Sequence, residues 1–113
     1  MDQLMISKTI SWLTFWKWKI IGTVEAADEI PSYIPKKRAI LVGSKKHPKW
    51  LVFDCACGTG HRIMLNLDVG RRPTWRILKT DPLSLLPSVD FRNNQMRCHY
   101  FVRGGKIEWI HHD

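Results

Sequence analysis

The chain of 113 residues and 13.3 kDa has the size of one domain and excludes a two-domain enzyme. With 44% hydrophobic and 25% charged residues it is neither a disordered tail nor a low-complexity polymer, and its longest apolar stretches, 39–43 and 50–53, fall far short of the roughly 20 residues that span a bilayer. A formal charge of +8, from 18 Lys and Arg against 10 Asp and Glu, attracts acidic partners without choosing between protein and nucleic acid.

In chain order, residues 10–21 are ambiguous. Ile10, Leu13, Trp16 and Ile20 approach helical spacing, while Trp16, Trp18 and Ile20 alternate with Lys17 and Lys19 as in a strand. The expectation is an N-terminal arm or short helix over 1–15, then a single β-rich domain over 16–113 that begins with a strand at 16–23. Lys8, Lys17 and Lys19 interrupt this region, which lacks the apolar core and cleavage site of an export signal. Pro31 and Pro35 bracket an irregular connection, and residues 39–43 form a strand. The cluster at 43–48 is a turn that returns 50–57 as a hairpin partner. After Gly58-Thr59-Gly60, Ile63, Leu65 and Leu67 share one face of a strand over 61–67. Gly70-Arg71-Arg72-Pro73 turns the chain into a strand at 75–78, and 83–91 is a strand in which Pro87 marks an edge or a beginning. The expected fold is mainly β, a compact antiparallel sheet or small barrel with C-terminal hairpins and little helix.

The C-terminal hairpins bear most directly on chemistry. Asn93-Asn94 suits a two-residue primed turn, which sets Arg92 against Gln95, Asp90 against Arg97, Val89 against Cys98 and Ser88 against His99. Opposed residues on one face stand close enough for a Ser hydroxyl to meet an imidazole. Ser88 and His99 are therefore a candidate nucleophile and base, or a cross-strand polar pair. Asp90 shares their face and is a candidate orienting carboxylate, although its position suits an ion pair with Arg97. Gly104-Gly105 makes a second two-residue turn, pairing Arg103 with Lys106, Phe101 with Glu108, His99 with Ile110 and Cys98 with His111. Glu108 thereby becomes a second candidate carboxylate. Adjacent residues on a strand point to opposite faces, so Cys98 and His99 have separate roles and a cysteine nucleophile served by His99 is disfavoured.

Cys55, Cys57 and Cys98 are an odd number of thiols and cannot complete a disulfide framework, which points to a reducing cytoplasm. Cys55-Ala56-Cys57 would place two thiols on one strand face, with Gly58 and Gly60 free to bend the chain before His61. Cys98, with His61 or His111 as the fourth ligand, completes a candidate tetrahedral zinc set of the closed, structural type. The alternative is three reduced thiols packed as small hydrophobes. Gly58-Thr59-Gly60 lacks the rest of a phosphate loop. The basic clusters Lys36-Lys37-Arg38, Lys45-Lys46 and Arg71-Arg72 fit a solvated face better than a nucleic-acid stripe.

Taken in order, Phe53-Asp54-Cys55-Ala56-Cys57-Gly58, Leu65-Asn66-Leu67, Trp75, Ser84-Leu85-Leu86-Pro87-Ser88-Val89, Cys98-His99-Tyr100-Phe101-Val102-Arg103 and Gly105-Lys106-Ile107-Glu108-Trp109 resemble a small bacterial family. These are the BubE-like serine proteases of Bub-type ubiquitin-like conjugation operons. The resemblance covers about residues 40–110, and Ala56 and Thr59 depart from the family's more Cys- and Gly-rich pattern. It implies a peptidase with Ser88 as nucleophile and His99 as base, acting on the C-terminus of a ubiquitin-like protein or its conjugates. Conjugation enzymes of the same operon are further expected partners. No organic cofactor, membrane or nucleic acid is expected. The rival reading is a non-catalytic, zinc-stabilised basic module that binds an acidic protein or nucleic acid.

Overall fold

A computed structural model describes residues 16–111, and the expected arm or helix over 1–15 lies outside them. Among the described residues nine strands and one short 3-10 turn follow in order: β1 (Lys19–Val24), the turn (Ala27–Glu29), β2 (Arg38–Gly43), β3 (Pro48–Asp54), β4 (Arg62–Asn66), β5 (Arg76–Thr80), β6 (Leu83–Leu86), β7 (Val89–Arg92), β8 (Arg97–Arg103) and β9 (Lys106–Trp109). They form three sheets, β1-β2-β3-β4, β5-β6 and β7-β8-β9. The fold is mainly β as expected, and no closed barrel forms among the described residues.

The first sheet is not wholly antiparallel, because β1 pairs with β2 in parallel. A parallel pair needs a crossover. Residues 25–37 supply it, and Ile34 from this segment packs on Ile40, Val42 and Val52. The opposite face of the sheet carries Ala39, Leu51, Phe53, Ile63 and Leu65 into the main core. The central strands β2 and β3 are thus buried on both faces, which explains why 39–42 and 50–53 read as apolar runs rather than as alternation. The strand expected over 83–91 is two strands. Pro87 cannot donate a ladder bond and stands between β6, which pairs with β5, and β7, which pairs with β8.

Leu83 and Leu85 from β6, and Val89, Cys98, Tyr100 and Val102 from the C-terminal sheet, complete the main core, where Trp18 packs edge-on against Phe53 with ring centroids 5.4 Å apart. Three backbone bonds of 2.8 Å hold the sheets in relation. Trp18 N–H donates to the Gly105 carbonyl, Gly105 N–H to the Leu83 carbonyl, and Leu83 N–H to the Trp18 carbonyl. The turn at Gly104-Gly105, with φ of 56° and 76°, is therefore both a hairpin tip and the meeting point of three segments. Arg103 faces Lys106, Val102 faces Ile107 and Phe101 faces Glu108, the register expected for this hairpin.

Candidate active site and metal centre

The first C-terminal hairpin departs from its expected register by two residues. Asp90 faces His99, Phe91 faces Cys98 and Arg92 faces Arg97. A primed turn at Asn93-Asn94 requires positive φ, and Lys37 is the only non-glycine with positive φ among the described residues. Asn93 instead turns the chain with its side chain: Oδ1 accepts from the N–H groups of Gln95 at 2.8 Å and Met96 at 2.9 Å, while its own N–H donates to the Met96 carbonyl at 3.0 Å. The hairpin tip moves one residue along the chain, and every partner shifts by two. An even shift keeps each side chain on its face.

Ser88 and His99 therefore remain on one face, as diagonal rather than direct neighbours, and Ser88 Oγ lies 2.8 Å from His99 Nε2. Both are half-buried on the outward face, so the pair is close to solvent. Ser88 is further held by Trp75, whose indole N–H donates to the Ser88 carbonyl at 3.1 Å. Trp75 is in turn fixed by its backbone N–H to the Asn66 carbonyl at 2.8 Å. Sequence reasoning missed this support, for which the only signal was an isolated Trp after the turn at 70–73.

The two candidate carboxylates face cations. Asp90 sits opposite His99, not Arg97, yet it accepts two bonds from Arg97 at 3.0 and 2.8 Å, with Arg92 at 3.6 Å. The hydrogen bond from Arg97, opposed by some desolvation and helped by the charge of His99, holds its carboxyl down at about 2. Glu108, opposite Phe101, bonds Arg103 at 2.8 Å, and the Arg103 guanidinium stacks over Phe101 at 3.9 Å. These carboxylates spend their hydrogen bonds on arginines.

On the opposite, inward face of β8, Cys98 joins Cys55, Cys57 and His61, and their four ligand atoms all lie within 4.8 Å of one another. Strand β3 ends at Asp54, so Cys55 and Cys57 are not on one strand face as expected; a turn brings them together. Gly58 and Gly60, at φ of 77° and 95°, shape it, and Cys55 N–H to the His61 carbonyl at 2.9 Å closes it. His111, the alternative fourth ligand, is exposed and outside the cluster. The strand carrying it ends at Trp109, and Ile110 N–H makes the last bond, to the His99 carbonyl.

The cluster fits one soft cation. Three thiol sulfurs and one imidazole are the donor set of a tetrahedral structural site. His61 stacks on Phe91 at 3.9 Å between centroids, and its Nδ1 lies 3.1 Å from Thr59 Oγ1, an arrangement that leaves Nε2, 3.5 Å from Cys57 Sγ, to act as the ligand. Buried Tyr100 offers its hydroxyl to Cys55 Sγ at 3.3 Å. Neither Thr59 nor Tyr100 was given a role beside the cluster from the sequence, since an outer-sphere hydroxyl has no spacing signature. Burial pushes the Cys55 thiol up and, with the neighbouring sulfurs, pushes Cys98 to about 12. Cys57 is the exception: burial opposes ionisation there too, but hydrogen bonds from Thr59, Cys98 and Cys55 together outweigh it and lower its pKa.

No curated protein and no solved structure matches the chain. A family model described as "Bacterial ubiquitination-like system serine protease (BubE)" matches residues 26–110, a span that contains Ser88, His99 and all four members of the cluster but not His111. Because that match covers most of the 113 residues, the chain belongs to the BubE family of bacterial ubiquitination-like system serine proteases.

Proposed function

We propose that the protein is a serine peptidase that processes or deconjugates a ubiquitin-like protein at its C-terminus, with Ser88 as nucleophile and His99 as general base. The observation that carries this reading is the 2.8 Å contact between Ser88 Oγ and His99 Nε2 on an accessible face, within the span matched by the family. His99 Nε2 accepts the Ser88 proton as Oγ attacks the scissile carbonyl and an acyl-enzyme forms. The imidazolium then returns that proton to the leaving amine, and water reverses the sequence to release the acid. Trp75 supports the reaction by fixing the Ser88 backbone, and Asp90 places a negative charge across the strand from the ring that becomes cationic. Asp90 and Glu108 accept their hydrogen bonds from Arg97 and Arg103.

Cys55, Cys57, Cys98 and His61 would hold a structural zinc, which supplies cross-linking rather than chemistry because four protein ligands leave no open position. It would tie the β3–β4 turn to β8, the strand that bears His99 on its other face. The test is incubation with the ubiquitin-like precursor of the same system, mass analysis of the products, and labelling with a fluorophosphonate. Cleavage at the precursor C-terminus with the label on Ser88 is expected. A folded protein that neither cleaves nor labels would favour the binding-module reading.

A further inference from the structure

Two grooves share lining residues along one side of the molecule, and one of them ends at Pro87, next in sequence to Ser88. The first, about 720 Å³, runs from Val69 and Leu67 past Trp75 to Leu86 and Pro87, the residue before Ser88. The second, about 680 Å³, shares Pro48, Leu67 and Val69 with it and extends to Lys46, Lys49 and Trp50. Val69 is 84% exposed and Leu86 38% exposed, so the floor presents aliphatic surface to solvent. Arg72 and Arg76 rim the first groove, and Lys46, Lys49 and Arg71 the second.

The charges on this rim are unbalanced. Asp68 is the one acidic lining residue among the described residues; it stands 4.0 Å from Arg71 and also accepts the Gly70 N–H at 2.9 Å. The side chains of Arg72, Arg76, Lys46 and Lys49 have no ion-pair or hydrogen-bond partner among the described residues. By comparison, Arg62, Arg97 and Arg103 are matched to carboxylates. Cations left unpaired around exposed aliphatic side chains are the complement of an acidic rim around an apolar patch, the usual anatomy of a protein interface. Exposed aliphatic residues, Val69 and Leu86, give the groove an apolar surface of the kind a folded protein buries, while binding of nucleic acid through Trp50 and Trp75 is the competing outcome of the test below.

We propose that these grooves together dock the body of an acidic, folded protein substrate and thereby direct its C-terminal tail past Trp75 and Pro87 to Ser88. The identity of the occupant as the ubiquitin-like protein rests on the peptidase reading; the chemistry of the surface does not. Docking here gathers binding energy from a part of the substrate remote from the scissile bond, and the positive rim accelerates encounter with an acidic partner.

The test measures affinity, not turnover. Full-length Ser88→Ala protein is titrated with the intact ubiquitin-like protein of the same system at low and moderate salt. Affinity should fall with salt, and Arg72→Glu with Arg76→Glu should weaken it by about tenfold or more while flattening the salt dependence. Arg72→Lys with Arg76→Lys should largely restore binding, and a thermal melt of each variant checks that the fold is kept. Undiminished affinity in the folded charge-reversed variant, absence of binding by the parent, or tighter binding of a single-stranded oligonucleotide at these residues would each overturn the inference. Labelling of wild-type Ser88 judges the peptidase reading separately, so a failure of docking is distinguishable from a failure of that reading.

Discussion

Ser88 and His99 owe their contact to parity. Any even shift of the β7–β8 register leaves both on the outward face, and their 2.8 Å contact survives a shift of two residues because imidazole is long enough to meet a diagonal neighbour. Two residues acting as one relay are non-additive. Ser88→Ala and His99→Ala should each remove most precursor cleavage, and the double variant should be little slower than either single one, as read from initial rates. Ser88→Ala should cost no more than about 1.5 kcal/mol of stability, since it deletes one half-buried hydroxyl; a larger loss in a denaturant titration would make the contact structural. Asp90 yields a pH prediction. Its carboxyl is held at about 2, below its unfolded value, so the stabilisation is complete above roughly pH 5 and disappears as pH falls through 2. The carboxylate is partly exposed, and solvent screening limits the effect to a melting-temperature difference of roughly 1–4 °C between wild type and Asp90→Asn. Melts from pH 1 to pH 6 should show that difference shrinking to nothing at the acid end.

Among the elements, the turn at Gly104-Gly105 has two glycines in the same left-handed region but in different surroundings. A Cβ at Gly104 would meet nothing within 4 Å, whereas a Cβ at Gly105 would lie 2.6 Å from Lys17 Cβ and 2.8 Å from Pro82 Cβ. Gly104→Ala should therefore cost about 1 kcal/mol for its backbone alone. Gly105→Ala should cost about 3 kcal/mol or more, because it also pushes apart the three segments joined by the Trp18–Gly105–Leu83 ring of hydrogen bonds. Comparing the two variants by chemical denaturation isolates the packing contribution, and equal losses would show that the ring yields easily.

For the molecule as a whole, the cysteine–histidine cluster links the first sheet to the third. Cys55, Cys57 and His61 come from the β3–β4 connection and Cys98 from β8. Protein purified without added zinc should contain one zinc per chain by metal analysis. Chelation should lower the melting temperature by roughly 10 °C or more, since metal-binding free energy is also folding free energy. Cys55→Ser should reproduce the shift and make the protein insensitive to chelator. Activity should decline with metal loss, because β8 carries Cys98 inward and His99 outward.

By itself the amino-acid sequence determined whatever depends on local periodicity or on backbone chemistry. The alternation along 97–103 separates Cys98 from His99, the two glycines at 104–105 specify their hairpin and its register, and the apolar runs at 39–42 and 50–53 mark the strands at the centre of the first sheet. It also brought forward Ser88, His99 and the three cysteines. Tertiary structure decided everything that required comparing competing partners. Asn93 had two ways to turn the chain, and the one it takes, through its side-chain oxygen, moved Asp90 opposite His99. His61 prevailed over His111 because the turn at 55–60 delivers it to the cluster, while the last strand ends before His111 can reach Cys98. Trp75, Thr59 and Tyr100 acquired their supporting contacts only when distant segments met. The parallel pairing of β1 and the separation of the strands into three sheets likewise depend on which apolar faces bury against one another, a choice made by the three-dimensional packing of the chain and not by the spacing of residues along it.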